Sequence, residues 1–331
     1  MTGTETVQSF AVPNYSGLLY NKANTKTPFL NMISGKVKYT NSVEFVCGQY
    51  YSSEEGDIPE ISETASLTAP QASFVTRNQM SNVTQIFQDS VAISYAKQSN
   101  MATLSGVNIA GQVANPQNEL DFQVASKMNK LKRSIEKTFI QGTYNKATQD
   151  TEANKTRGMI EAITTNAVPA GNKTLDLWLL NDAVSKINNA GGEITNLVVL
   201  LNTVNLLQLT GNAIEMGVEV GKPFETAYGI QVREVILPVG AIVKLAIGEF
   251  IPDGTALIVN PDVIGPVEQP VPGKGNFFLE ELAKTGAGTK YQLFGQIGLD
   301  HGPEWFHAKI TGLSTTFTAP KGKKVVTVSE E

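Results

Sequence analysis

Two histidines and one cysteine are the residues of this chain best suited to nucleophilic or metal chemistry. His301 lies in a Gly-Pro turn, and His307 lies among aromatic residues on an expected strand. Their spacing matches neither the H-E-x-x-H pattern of zinc peptidases nor a zinc finger, and no G-x-S-x-G elbow supplies a nucleophilic serine. Cys47 follows Phe45 and Val46 on an expected strand, where a buried, unreactive thiol is the usual outcome. We expect all three to be structural, although a Ser-His-acid site is defined by geometry and stays open.

Glycine-rich and acidic segments offer a second set of sites, for phosphates, metal ions or proton transfer. The segment from Gly217 to Pro223 has three residues between its glycines where a phosphate loop needs four, and proline replaces the Mg²⁺-binding hydroxyl. Gly286-Ala-Gly288 lacks the third glycine of a dinucleotide loop. The acidic pairs Glu54-Glu55 and Glu280-Glu281 fit a solvated loop and a strand edge better than a catalytic or metal site. The sequence therefore predicts no catalytic residue, no metal site and no cofactor, and we expect a protein that is not an enzyme.

Composition and charge narrow the function classes further. The 331 residues carry 31 acids and 26 bases, a net charge of −5, whereas a general nucleic-acid binder needs a basic excess. Charged residues make up only 17%, below the roughly 25% of an average domain, which suits burial against other subunits. A single cysteine cannot form an internal disulfide. The first 20 residues hold no Lys or Arg and the longest apolar run is Leu197 to Leu201, so we expect a soluble, non-secreted protein without a membrane segment.

The N-terminal part of the chain predicts elements that project from the body. Residues 1 to 35 have no regular apolar period and fit an extended arm that docks on another molecule. From 36 to 96, two strand patterns flank the acidic stretch Ser52 to Ser66, which contains no base. An isolated two-stranded ribbon is at best marginally stable in water, so this one needs a neighbour to lie on. Its acidic tip carries Glu54, Glu55, Asp57, Glu60 and Glu63.

One long helix and an inserted α/β unit are predicted for the body. Apolar residues recur every three or four positions from Asn118 to Gly142, with Asn118 as the N-cap, and the opposite face is basic. From 158 to 270, helix and strand patterns alternate. Three strands are then expected, namely Phe277 to Leu282, Tyr291 to Leu299 and Trp305 to Leu313. These strands need an apolar surface, so we expect them to return to the long helix and the α/β unit to be an insertion.

This order of parts resembles the HK97-like fold of the major capsid proteins of tailed double-stranded DNA phages. Local segments are similar to the SU10-like major capsid protein family: Arg77 to Phe87, Glu119 to Gly142, Thr156 to Gly158, Leu282 to Gly286, Gly298 to Gly302 and His307 to Gly312. The resemblance spans roughly Gln79 to Gly312 and depends on the order and spacing of these segments. It implies an α+β fold with an N-terminal arm (1–35), a β-hairpin E-loop (36–96), a P-domain with spine helix 118–142 and a sheet (97–157 and 276–320), an inserted α/β A-domain (158–275) and a C-terminal tail (321–331).

The resemblance also implies a function, that of a major capsid protein. Such a protein self-assembles as hexamers and pentamers into an icosahedral shell that encloses double-stranded DNA without sequence-specific binding. The implied partners are other copies of the chain, a portal and a separate scaffolding protein, without a membrane; the need for a decoration protein stays open. The implied location is the virion capsid, with assembly in the cytoplasm of the bacterial host.

From the residues we expect inter-subunit contacts at charged positions on the ribbon and the spine helix: Glu54, Glu55, Asp57, Glu60, Glu63, Arg77, Lys130 and Arg133. Some relatives join subunits by a Lys–Asn bond that needs a lysine in the E-loop. No lysine lies between Lys38 and Lys97, so we expect no such cross-link. Because the arm begins near Met1, we also expect no cleaved scaffolding segment within this chain.

Three other functions stay open at this point. One is a bacterial shell compartment of the same fold that packages a protein. Another, from a different class, is an α/β enzyme or binding protein that dimerises through the long hairpin. The third is a phage tail tube or sheath subunit, which should form rods instead of shells.

Overall fold

The computed structural model describes residues 26–51, 58, 60–69, 74–96, 119–215, 223–225, 231–284 and 286–316. In these residues the helices are α1 (Pro28–Ile33), α2 (Glu63–Ser66), α3 (Glu119–Gln141), α4 (Met159–Ala162), α5 (Leu177–Asn189) and α6 (Thr203–Glu215). The strands are β1 (Lys38–Tyr39), β2 (Glu44–Tyr51), β3 (Arg77–Val83), β4 (Gln85–Ser94), β5 (Ala167–Pro169), β6 (Leu197–Leu201), β7 (Pro223–Glu225), β8 (Gln231–Ile236), β9 (Ile242–Ile247), β10 (Thr255–Val259), β11 (Gly265–Glu268), β12 (Phe278–Glu281), β13 (Gly288–Asp300) and β14 (Ala308–Thr311). Most of the expected arm, the tip acids Glu54, Glu55 and Asp57, the expected cap Asn118 and the C-terminal tail lie outside the described residues.

Helix α3 is the long helix that the apolar period predicts. Its buried stripe, which includes Leu131, Ile135 and Phe139, lies in one core cluster with α1, with strand β13 and with one face of a larger sheet. The helix ends before Gly142, where a Cβ atom would lie 2.4 Å from the carbonyl oxygen of Thr138. The second expected C-terminal strand, β13, thus returns to this helix, as the sequence predicts. The first, β12, is mostly exposed and joins the sheet by pairing with β13.

The sheet that packs on α3 has five strands, with β13 at its centre. Strand β13 pairs antiparallel with β4 over Gly288–Ile297, and its other edge pairs with β12 and then β11, which pairs with β1. The expectation that 36–96 forms one hairpin is therefore wrong for its last strand. Strand β4 buries Phe87, Val91 and Ile93, because it pairs with the body of the chain and not with the ribbon. Only β2 and β3 pair as a separate two-stranded sheet.

A seven-stranded sheet forms the second layer, in the order β5-β14-β10-β6-β9-β8-β7. Helices α5 and α6 contribute to the apolar core on one of its faces, and the cluster around α3 lies on the other. The prediction of a third C-terminal strand from Trp305 to Leu313, on the same sheet as the first two, is wrong. Glu304–Phe306 is a 3₁₀ turn, and the strand β14 that follows pairs with β10 and β5. Buried Ala308 and Ile310 explain this choice, since they fill the core under α5 and not the sheet on α3.

Candidate inter-subunit interface

The ribbon, meaning β2, β3 and the segment between them, is anchored to the body along its two strands. The Asn82 amide donates to the carbonyl oxygen of Leu299 at 2.8 Å and accepts from the backbone N–H of Arg157 at 2.8 Å. On β2, the ring of Tyr50 meets that of Trp305 nearly edge to face, with centroids 5.0 Å apart. These contacts fix the direction in which the ribbon leaves the body.

A β-bulge interrupts the anchored strands of the ribbon. The register between β2 and β3 shifts between Cys47 and Gln49, and Gly48 lies at the shift with φ +63°. A Cβ atom on Gly48 would lie 2.7 Å from the carbonyl oxygen of Gly302. Glycine is required here because the backbone is left-handed and also lies against another backbone.

The distal end of the ribbon exposes large apolar side chains. Tyr51 is 67% exposed, and beyond it Leu67 is 86% and Phe74 is 89% exposed. Ile58 and Ile61 are exposed as well. Apolar side chains grouped on one projecting segment indicate a surface that another molecule covers.

Three of the charged residues expected to contact another subunit lie near this apolar end. Glu60 and Glu63 are exposed around the short helix α2, whose N-cap Ser62 accepts from the backbone N–H of Ala65 at 3.2 Å. Arg77 is exposed at the start of β3, in register with Tyr51. Among the described residues, none of these three charged side chains forms an ion pair.

The two candidates on helix α3 have acidic partners within the chain. Lys130 lies 2.8 Å from one carboxylate oxygen of Asp89, whose other oxygen lies 2.9 Å from Lys127. Burial alone raises the pKa of Asp89, but the two ammonium groups lower it to about 2. Arg133 lies 3.8 Å from Glu249. Neither acid could be assigned from the sequence, because both are distant from α3 along the chain. The fold brings Asp89 on β4 and Glu249 in the loop after β9 to this helix.

The histidines and the cysteine lie in a buried polar cluster behind the ribbon. His301 Nδ1–H donates to the carbonyl oxygen of Gly302 at 2.7 Å, which leaves Nε2 as acceptor for the Cys47 thiol at 3.3 Å. His307 Nδ1 accepts from the backbone N–H of Asn260 at 3.1 Å, and its Nε2–H donates to the carbonyl oxygen of His301 at 2.8 Å. Burial raises the pKa of Cys47 to about 12 and lowers that of His307 to about 4. These side chains connect backbone segments and have no access to a substrate.

Two further features of the described residues concern metal ions and membranes. In that part of the chain, no group of three or more His, Cys, Asp or Glu could hold a metal ion. None of the described helices is long and apolar enough to cross a membrane.

Comparison with known proteins identifies the family. The SU10 major capsid protein family matches residues 1–314. The chain belongs to that family. The SU10-like capsid protein is therefore a subunit that forms a capsid shell, and copies of it associate with one another.

Solved structures show that the SU10-like protein has the expected HK97-like α+β fold. The capsid of cyanophage A-1(L) is similar with a TM-score of 0.64 and 12% identity, over 94% of this chain and 99% of that chain. The SrpI encapsulin of Synechococcus elongatus PCC 7942 is similar with a TM-score of 0.61 and 11% identity, over 94% and 96%. The capsid of a native GTA particle has a TM-score of 0.55 and 13% identity, over 94% and 98%. No curated protein matches the chain.

Proposed function

We propose that the chain assembles as hexamers and pentamers into an icosahedral shell around double-stranded DNA, with the distal end of each ribbon lying on an adjacent subunit. One observation carries the proposal: large apolar side chains, Phe74 and Leu67 among them, are exposed on a segment that its own body does not cover. A ribbon of two strands cannot bury such side chains by itself. Covering them with a neighbour removes apolar surface from water at every repeated contact of the shell.

Charge supports helix α3 of the neighbour as the surface that receives the ribbon. From Lys127 to Lys137 the helix carries five bases, and its single acid in that interval, Glu136, is fully buried. Lys132 and Lys137 are exposed and have no acidic partner among the described residues. We assign them as the bases that meet Glu60 and Glu63 of the adjacent ribbon. An exposed ion pair contributes only about 0–1 kcal/mol, but closure of a shell repeats it many times.

The remaining parts of the proposal concern partners and processing. The shell holds DNA without reading its sequence, in keeping with a net charge of −5. A portal and a separate scaffolding protein complete the assembly in the host cytoplasm, and the chain itself has no catalytic role. Subunits join without a Lys–Asn bond, since the ribbon contains no lysine. We keep the boundaries predicted from the sequence for the arm, E-loop, P-domain and A-domain, except that β4 pairs with β13 in the five-stranded sheet and β14 pairs within the seven-stranded sheet.

A charge exchange tests the contact between the ribbon and α3. The double variant Glu60→Lys/Glu63→Lys should lower the yield of closed shells in electron micrographs while its circular dichroism stays that of the original chain. Adding Lys132→Glu/Lys137→Glu to the same chain should restore much of the yield, because the charge pairs are re-formed in reverse.

Glu193→Lys provides the matched control, because Glu193 is an exposed acid in the turn after α5, away from the ribbon. It should leave the yield unchanged. Equal yields for the ribbon variant and this control would contradict the proposed contact, and a loss without rescue would place the ribbon on a different surface of the neighbour.

The similarity to an encapsulin keeps one alternative, a shell that holds protein cargo. Purified shells treated with nuclease and then opened distinguish the two. Protected double-stranded DNA supports the phage capsid, and a single co-purified protein without nucleic acid supports the compartment.

A further inference from the structure

Glu136 is a fully buried acid on helix α3, at the place where the arm helix α1 packs. Its side chain has no solvent exposure. One carboxylate oxygen, Oε2, accepts from the backbone N–H of Leu30 on α1 at 3.3 Å. The other, Oε1, has no hydrogen-bond partner among the described residues. A buried carboxylate with one oxygen that receives no hydrogen bond is costly when ionised, and protonation removes that charge.

Among the ion pairs of the described residues, none involves Glu136. Helix α1 contains no ionisable side chain, and Thr27, which precedes it, forms no side-chain cap. On α3 itself, Arg133 lies one turn away, but its guanidinium is directed to Glu249 at 3.8 Å. The negative charge of Glu249 opposes ionisation of Glu136. The rest of the cluster around the site is apolar and includes Phe139.

We propose that the attachment of α1 to α3 depends on the proton of Glu136: the protonated acid holds α1 in place, and ionisation favours its release. Helix α1 has six residues, and Phe29, Met32 and Ile33 are buried, so its attachment combines this apolar contact with the hydrogen bond to Glu136. Lifting it would admit water to the carboxylate and relieve the cost of the buried charge. Burial raises the pKa of Glu136 to about 7, and the charge of Glu249 also raises it. Hydrogen bonds from the N–H groups of Leu30 and Phe29 lower this pKa. Glu136 therefore loses its proton near neutral pH.

The consequence for a shell depends on the proposed function. Helix α1 lies near the C-terminal end of the expected N-terminal arm (1–35), so ionisation of Glu136 would loosen the point at which the arm joins the body. The attachment itself belongs to the single chain and can be measured before assembly. A failure of the proposed shell contacts and a failure of this proton-dependent attachment are therefore distinguishable.

Hydrogen exchange of the full unassembled chain, measured by mass spectrometry from pH 6 to 8.5, tests the proposal. After correction for the intrinsic pH dependence of exchange, protection of the α1 amides should fall about tenfold, since release shifts the acid from a pKa of about 7 to its ordinary value. Glu136→Gln should keep constant protection over this range. Strand β6, which is entirely buried, provides the internal control and should not change in either chain.

Glu249→Gln provides a second test if the first variant folds poorly. Removing this negative charge should make ionised Glu136 easier to accommodate, so α1 should lose less than the tenfold protection of the original chain. Constant protection of α1 in the original chain, or an equal loss in Glu136→Gln, would overturn the proposal. An unchanged pH dependence in Glu249→Gln would overturn the role given to Glu249.

Discussion

Tyr50 on the ribbon packs against Trp305 in the turn between the two sheets, with their rings 5.0 Å apart and 76° from parallel. This contact lies where the ribbon leaves the body, and the large exposed side chains lie beyond it. The ribbon therefore has a fixed origin and an uncovered end. That combination suits a part that must reach an adjacent subunit in a defined direction.

Gly48 should be the most sensitive backbone position of the ribbon. Gly48→Ala forces a left-handed residue to carry a Cβ atom 2.7 Å from the carbonyl oxygen of Gly302. We expect a loss of about 1–3 kcal/mol in the free energy of unfolding, measured with urea, and fewer closed shells. Gly240→Ala is the matched control, because Gly240 has φ +85° but no atom within 4 Å of its Cβ position. Equal losses in the two variants would show that the contact with Gly302 has no effect.

Glu136 should make the protein less stable as the pH rises. The folded chain holds this proton more tightly than the unfolded chain, with a pKa of about 7 against an ordinary 4.5. The resulting stabilisation is complete below about pH 4.5 and is lost as the pH rises through 7, a loss of about 3 kcal/mol. In urea unfolding, Glu136→Gln should thus match the original chain most closely near pH 5 and exceed its stability at pH 8. A variant that is less stable at pH 8 would contradict this account.

His307 should act in the opposite direction. Its folded-state pKa of about 4 lies below the ordinary 6.5, so the unfolded chain takes up the proton first. Stability is retained above about pH 6.5 and falls by about 3 kcal/mol as the pH drops through 4. His307→Gln should have a lower free energy of unfolding at pH 7 but a weaker decline between pH 6.5 and 4.5. A decline as steep as that of the original chain would assign acid sensitivity to other groups.

Local patterns in the sequence predict some parts of this fold well. The apolar period of α3 and the turn residues between β8, β9 and β10 act within short segments, so their positions follow from nearby residues. The partner of β4 does not follow from nearby residues. Phe87 and Val91 would share one buried face whether β4 paired within the ribbon or within the five-stranded sheet. Strand β4 pairs with β13, which lies about 200 residues later in the chain.

The candidate contacts show the same division. An acidic ribbon tip can be recognised from composition, and Glu60 and Glu63 are exposed where the sequence places them. Lys130 could not be assigned in this way, because its partner Asp89 is brought to it by the packing of β4 on α3. The burial of Glu136 was also hidden, since a glutamate within a basic helix segment is usually solvated.

The central claim is that the distal ribbon lies on a neighbouring subunit. The most direct test is electron cryo-microscopy of particles formed by the chain, with its scaffolding protein added if the chain alone stays as capsomers. The account predicts closed shells in which Leu67 and Phe74 of one subunit are buried against the next. Shells in which these side chains remain in solvent, or a strict dimer with no capsomer by mass photometry, would contradict it.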